Sequence, residues 1–121
     1  MKIKSSELKG KALDWAVAVA EGRAPSLHEY SKGDGQWFIL MQTGVYRTVC
    51  AFSESWAQGG PIIDREDICI KQGKYIPTSA YIYKGDGYAA YLQGDTPLIA
   101  AMRCYVASKL GDVVDVPGEL M

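Results

Sequence analysis

The chain has few of the side chains on which catalysis and metal binding usually depend. Among its 121 residues there is one histidine, and none of its three cysteines belongs to a Cys-x-x-Cys pair. A zinc site takes about four nitrogen or sulfur ligands, and a nucleophile activated by a histidine base would need His28, which is predicted in a loop. We therefore expect no enzyme activity, no cofactor and no metal, with Cys50, Cys69 and Cys104 as reduced, unligated thiols.

The chain also lacks an excess of one charge and any long apolar run. Thirteen basic and fourteen acidic side chains are mixed along it, for a net charge of −1. Because no basic run is present to neutralise a row of phosphates, duplex nucleic acid is not an expected partner. A spanning segment of about 20 apolar residues and a signal-peptide core are missing too, which predicts a cytoplasmic protein without membrane contact.

A complete helix signal stands near the end of the sequence. Thr96 is suited to cap the first turn, Pro97 to the first helical position and Gly111 to the end. Large and small residues fall on different sides of helix 96–110. The large side is predicted to face a sheet (Leu98, Ile99, Met102, Tyr105, Val106), and the small side is predicted to face the first helix (Ala100, Ala101, Cys104, Ala107, Ser108). The alternative for the small side is a second copy of the protein, in a homo-oligomer through helix 96–110.

The remaining pattern predicts one further helix and several short strands. The helix is expected over 6–21, with Leu13 and Val17 on its core face and Asp14 on the opposite side. Strands and loops are expected as follows: an edge strand at 1–4, a loop over 23–35, strands 36–41 and 45–52 around a turn at 42–44, an irregular stretch at 53–61, a strand at 68–70, a hairpin of 75–83 and 88–92, and an acidic tail over 112–121. The sequence thus predicts one α+β domain spanning 1–121, an antiparallel sheet with the N-terminal and C-terminal helices packed on one face.

The candidate binding site is the stretch around two adjacent glycines. Trp56 offers a stacking face, Gln58 can recognise a polar edge, and Gly59 and Gly60 allow a backbone that other residues avoid. Arg103, the only charge in the middle of the last helix, is the candidate partner for an anion. Together they predict capture of a small nucleotide-like ligand. The alternatives are a buried tryptophan that anchors a loop, and an arginine in a structural salt bridge or extended to the surface.

A tyrosine-rich hairpin is the second candidate surface. Tyr81, Tyr83, Tyr88 and Tyr91 lie close together in the sequence, and Tyr81 and Tyr83 share a face if their strand is regular. Tyrosine-rich surfaces favour contact with proteins or bases. Docking on a host protein is therefore the alternative function, while the structural alternative is tyrosines that pack at the rim of a sheet.

Three blocks of the sequence resemble the NinX-like family of small tailed-phage proteins. They lie within 2–18, at 56–64 (Trp-Ala-Gln-Gly-Gly-Pro-Ile-Ile-Asp) and at 96–111 (Thr-Pro-Leu-Ile-Ala-Ala-Met-Arg-Cys-Tyr-Val-Ala-Ser-Lys-Leu-Gly). Residues 27–50 and the stretch 88–91 depart from the family pattern. The resemblance implies a phage accessory protein, dispensable for building particles, in the cytoplasm of the infected bacterium and without catalytic residues. By analogy with other small accessory phage proteins, it implies sequestration of a nucleotide-derived immune signal or binding of a host protein.

Overall fold

The computed structural model describes residues 1–121 as three helices and eight strands. The helices are α1 (Gly10–Ala20), α2 (Trp56–Arg65) and α3 (Pro97–Leu110). The strands are β1 (Lys2–Lys4), β2 (Ser26–Glu29), β3 (Trp37–Thr43), β4 (Tyr46–Val49), β5 (Cys69–Gly73), β6 (Ile76–Lys84), β7 (Gly87–Gln93) and β8 (Val113–Asp115). This composition confirms the predicted α+β class.

The strands form three separate antiparallel sheets rather than the predicted single sheet. β1 pairs with β8, β3 lies between β2 and β4, and β6 lies between β5 and β7. The prediction of one sheet is wrong because α2 is inserted between β4 and β5, so the two hairpin regions are not continuous. The predicted hairpin over 75–92 is confirmed as β6 and β7, whose strands are joined at Lys84 and Gly87.

Helix α3 lies at the centre of the core, in contact with α1, α2 and the strands β5, β6 and β7. Its predicted ends are confirmed: Thr96 Oγ1 accepts a hydrogen bond from Ile99 N at 3.1 Å, and Gly111 follows the last turn with a φ of +92°. The buried side chains come from both the large and the small side: Leu98, Ala100, Ala101, Met102, Cys104, Tyr105 and Val106. The chain itself thus covers most of the small side of α3. A homo-oligomer through this helix stays a prediction, and only a small part of the small side is left exposed for such a contact.

The N-terminal region differs from the predicted helix over 6–21. Ser5–Glu7 form a single three-ten turn, and α1 starts only at Gly10, where a φ of +56° redirects the backbone. The predicted edge strand at 1–4 is confirmed as β1, but it is paired. Its partner β8 lies in the segment predicted as a tail, with Ile3 opposite Val114.

The predicted loop over 23–35 contains a strand that sequence reasoning missed. β2 pairs with β3, with Leu27 opposite Ile39. Only four residues long, β2 follows Pro25 and precedes the Ser-Lys-Gly-Asp-Gly stretch at 31–35. Local signals therefore favour a loop, and only pairing with β3 defines the strand. The turn after β3 is also shorter than predicted, since Thr43 pairs with Tyr46.

Candidate functional site

The stretch predicted as an irregular, glycine-rich loop is the first part of helix α2. The carbonyl of Ser55 accepts hydrogen bonds from Gln58 N at 3.1 Å and Gly59 N at 2.8 Å, which closes the first turn. Two glycines and an internal proline disfavour a helix by propensity. Burial of Ile62 against the core outweighs that preference.

The side chain of Gln58 is bound to the chain itself. Its Nε2 donates to the carbonyl of Val49 at 2.9 Å, and its Oε1 accepts from the backbone N–H of Ala51 at 2.7 Å. These bonds tie α2 to the end of β4. To recognise a ligand edge as predicted, the amide would have to give up both bonds.

The two adjacent glycines have different surroundings. A Cβ atom on Gly59 would lie 2.6 Å from Leu98 Cδ1 and 2.9 Å from the carbonyl oxygen of Phe52. A Cβ atom on Gly60 would meet nothing closer than the Trp56 ring at 4.0 Å. Gly59 therefore allows the close approach of α2 to the start of α3, and neither glycine forms the exposed turn that the sequence predicts.

Trp56 is the predicted site residue that remains accessible. It is 54% exposed and lines a cavity of about 370 Å³ between α2 and the first turn of α3. Glu54 is the only charged residue of that cavity, which is otherwise lined by Ser53 and by Thr96–Ile99. This cavity offers a stacking face and a carboxylate acceptor, but no cation.

Arg103 is held away from the Trp56 cavity by backbone carbonyls. Its Nε donates to Leu8 O at 2.6 Å and its Nη1 to Gln93 O at 2.9 Å, so the guanidinium joins α3 to the segment before α1 and to the end of β7. Arg103 is therefore held by backbone carbonyls and not by the structural salt bridge that was one of the alternatives for it. Trp56, Gln58 and Arg103 line three different cavities, so the structure does not bring the predicted site residues together.

A partly exposed ion-pair network beside Gln58 was not predicted: the Glu21 side chain is buried, whereas half of the Arg65 side chain is exposed. Arg65 binds the carboxylate of Glu21 through two bonds, of 3.1 and 2.6 Å, and its Nε donates to Glu66 at 2.9 Å. The Tyr105 hydroxyl also donates to Glu21. Burial pushes the pKa of Glu21 up, but the bonds from Arg65 and Tyr105 outweigh it and hold the pKa below its usual value. The network joins the ends of α1 and α2 to α3, and it engages all three nitrogens of the Arg65 guanidinium.

Asp14 is a second unpredicted feature, because the helical pattern placed it on the polar side of the first helix. It is buried, its Oδ1 accepts from Ser53 N at 2.7 Å, and its backbone carbonyl accepts from the Cys50 thiol. Burial raises the pKa of Asp14 to about 6, although the hydrogen bond from Ser53 lowers it. The same burial raises the pKa of Cys50 to about 12.

The buried carboxyl predicts a stability that falls with rising pH. The folded chain holds the Asp14 proton up to about pH 6, whereas the ordinary value is 3.8. Its contribution is therefore complete below about pH 4 and is lost as the pH rises through 6, by about 3 kcal/mol. Asp14→Asn keeps an acceptor for Ser53 N and removes the ionisation. Urea unfolding at pH 5 and pH 8 should show a smaller decline for Asp14→Asn than for the parent chain; equal declines would contradict the assignment.

His28 lies in strand β2 rather than in the predicted loop. Its Nε2 is 2.9 Å from the Ser26 hydroxyl, which also accepts from Arg47 Nη2 at 2.5 Å, and its ring stacks on Phe38. Ser26 and His28 are two residues apart on the same strand and so share a face. No carboxylate orients the ring, and neither residue lines the cavities that contain Trp56, Gln58 or Arg103.

The four tyrosines of the hairpin form one continuous cluster. Tyr81 lies opposite Tyr91 in the β6–β7 register, with stacked rings whose centroids are 5.7 Å apart. Tyr83 lies opposite Tyr88, stacked at 5.0 Å, and the two pairs meet edge to face. Exposure is 60% for Tyr83, 54% for Tyr88 and 42% for Tyr91. We call this surface the tyrosine face.

An irregularity in β7 assembles the tyrosine face. Tyr88 and Tyr91 are three residues apart, so a regular strand would direct them to opposite faces. The register shifts between Ile82 and Tyr83, which pair with Ala90 and Tyr88, and the intervening Ala89 has no partner. This bulge returns Tyr88 to the side of Tyr91. Sequence reasoning could predict that Tyr81 and Tyr83 share a face, but nothing local indicated the bulge.

The family model described as Bacteriophage P22, NinX matches residues 4–109. The chain belongs to the NinX family. No curated protein matches this NinX chain. The matched range contains α1, α2, the tyrosine face and all of α3 except its last residue. It confirms the resemblance on which a phage accessory role rests. None of the helices is long and apolar enough to cross a membrane.

Proposed function

We propose that this NinX protein is a non-enzymatic interaction module that docks on a host protein through its tyrosine face, in the cytoplasm of the infected bacterium. The observation that carries the proposal is a cluster of four tyrosine rings in mutual contact, three of them with 42% to 60% of their surface exposed. Isolated exposed aromatic side chains are ordinary, but a contiguous exposed group marks an interaction surface.

The tyrosine face has the properties of a binding hot spot. Tyrosine is enriched where protein interfaces carry most of their binding energy. Cross-strand stacking already fixes the rings, and the Tyr91 hydroxyl lies 3.3 Å from the Ser79 hydroxyl. Few rotamers are therefore left to lose on association, which reduces the entropic cost of binding.

Site-directed photo-crosslinking in infected cells tests this proposal. A benzophenone side chain is placed at position 83 or 88, and at position 46 as a matched control. Tyr46 is 75% exposed but lies in β4, outside the tyrosine face. We expect a discrete protein adduct at 83 and 88 and none at 46. An excess of the parent protein, which lacks the benzophenone, should compete for the partner and suppress the adduct. The same excess of the Tyr83→Ala/Tyr88→Ala protein should not.

The same experiment can contradict the proposal in two ways. Adducts of equal yield at positions 46 and 88 would indicate random collision. Suppression by the alanine competitor as effective as that by the parent would show that the tyrosines do not carry the contact. The circular dichroism spectrum of the Tyr83→Ala/Tyr88→Ala protein must first match that of the parent. We expect this match because both side chains are exposed.

Capture of a small ligand remains a second candidate, favoured by the accessible face of Trp56. The adjoining cavity of about 370 Å³ lies within the usual size range for small-molecule sites. The exocyclic amine of a planar base stacked on Trp56 could donate a hydrogen bond to the Glu54 carboxylate. Under this proposal the protein would sequester a nucleotide-derived host immune signal. Arg103, predicted as the anion partner, lies outside this cavity and would not contact the ligand.

Calorimetric titration separates the second candidate from the first. Mononucleotides and cyclic dinucleotides are titrated into the parent protein, Trp56→Ala and Tyr88→Ala. Ligand capture predicts binding that Trp56→Ala abolishes and Tyr88→Ala leaves unchanged. Absence of heat for every nucleotide would remove this class of ligand.

A further inference from the structure

We infer that the surface recognised by the tyrosine face is an acidic segment of a protein, rich in carboxylates. This inference rests on the proposed docking function and specifies the chemistry of its partner. It follows from the charges of the β5–β7 sheet, from the hydroxyl groups of the cluster and from the way in which the rings stack.

The sheet that carries the tyrosine face is basic in an otherwise acidic chain. Between residues 69 and 93 there are three lysines, Lys71, Lys74 and Lys84, and one acidic residue, Asp86, whereas the whole chain has a net charge of −1. All four are exposed. A positive patch favours a negative partner surface and speeds the encounter with it.

Lys71 is placed to act together with the tyrosines. It lies opposite Ser79 in the β5–β6 register, and Ser79 is two residues from Tyr81 on the same strand. Directly paired residues and residues two apart share a face. Lys71 therefore borders the tyrosine face. None of the ion pairs of the structure involves Lys71, Lys74 or Lys84.

The phenol groups add further donors to the same surface. A tyrosine hydroxyl can donate one hydrogen bond, and a carboxylate only accepts. A surface of phenols and ammonium groups is thus complementary to aspartate and glutamate side chains. Bonds in which one partner is charged are about twice as strong as bonds between neutral groups.

Two other occupants fit these observations less well. A second copy would bring the same three lysines against the first, which like-charge repulsion disfavours. Single-stranded nucleic acid binds aromatic platforms by stacking bases on open ring faces. Here Tyr81 stacks on Tyr91 and Tyr83 on Tyr88, so ring faces are directed at one another.

Fluorescence anisotropy with defined probes tests the inference. The probes are a labelled 15-residue peptide rich in glutamate, its glutamine isostere, and a single-stranded oligothymidylate. Proteins are the parent, Lys71→Gln/Lys84→Gln, Tyr83→Ala/Tyr88→Ala, and Lys32→Gln as a control lysine in another exposed loop. We expect the glutamate peptide to bind about tenfold more tightly than its isostere. Lys71→Gln/Lys84→Gln should lower the affinity for the glutamate peptide about tenfold, and Lys32→Gln should leave it unchanged.

Each outcome addresses either the inference or the proposed function. Failure of the glutamate peptide to bind, equal binding of both peptides, or tighter binding of oligothymidylate overturns the acidic partner. These results leave docking intact if the crosslink at position 88 is still blocked only by the parent competitor. If Tyr83→Ala/Tyr88→Ala binds the glutamate peptide as the parent does, the tyrosine face is not the site and the proposed function fails with the inference.

Discussion

Gly59→Ala is expected to lower the free energy of unfolding by about 1–3 kcal/mol, the usual cost of overpacking a core. The added methyl group would lie 2.6 Å from Leu98 Cδ1 and 2.9 Å from the carbonyl oxygen of Phe52. The leucine can move, but the carbonyl belongs to the backbone, so α2 itself would have to shift away from α3. Urea unfolding followed by circular dichroism measures the loss.

Gly60→Ala is the matched control for Gly59→Ala. The position has open space, with only the Trp56 ring at 4.0 Å. Alanine gains about 0.5–1 kcal/mol over glycine within a helix, but a Cβ before Pro61 disfavours helical backbone. Because these effects oppose each other, the net change should stay within about 1 kcal/mol. If both substitutions cost the same, the packing role assigned to Gly59 is wrong.

Met102→Ala is expected to lower the free energy of unfolding by about 2–5 kcal/mol, the range for deleting a fully buried large side chain. Met102 has no exposed surface and lies in α3, the helix that the rest of the core surrounds. Met121→Ala is the control, since Met121 is 56% exposed. A loss below about 1 kcal/mol for Met102→Ala would mean that the core repacks around the gap or that α3 is not central.

Helix α3 could be predicted from the sequence because its signals are local and agree with one another. Thr96, Pro97 and Gly111 mark its ends, and Met102 and Val106 fall on its apolar side. The hairpin of β6 and β7 was predictable for the same reason, since a Gly-Asp-Gly turn separates two tyrosine-rich runs. In both cases the tertiary structure supports the local preference.

Helix α2 and strand β2 could not be predicted because tertiary contacts override their local signals. Gly59-Gly60-Pro61 indicates a turn, yet burial of Ile62 and the clamp from Gln58 to Val49 and Ala51 support a helix. β2 is defined only by its pairing with β3.

The candidate site was only partly predictable for a related reason. Tyr81 and Tyr83 follow strand alternation, but Tyr88 joins them through an unpaired Ala89, a property of the register between strands. Arg103 stands out in the sequence as an isolated charge. Its role, donation to the carbonyls of Leu8 and Gln93, depends on chain segments far from it in sequence.

The most direct test of the tyrosine face is the affinity of the purified chain for the protein identified by crosslinking at position 88. The dissociation constant should rise by about a hundredfold or more for Tyr83→Ala/Tyr88→Ala, as expected when two hot-spot side chains are truncated. It should be unchanged for the exposed controls Tyr46→Ala and Trp56→Ala. An unchanged constant for the tyrosine pair, together with loss of binding in Trp56→Ala, would contradict the account and place the functional surface beside α2.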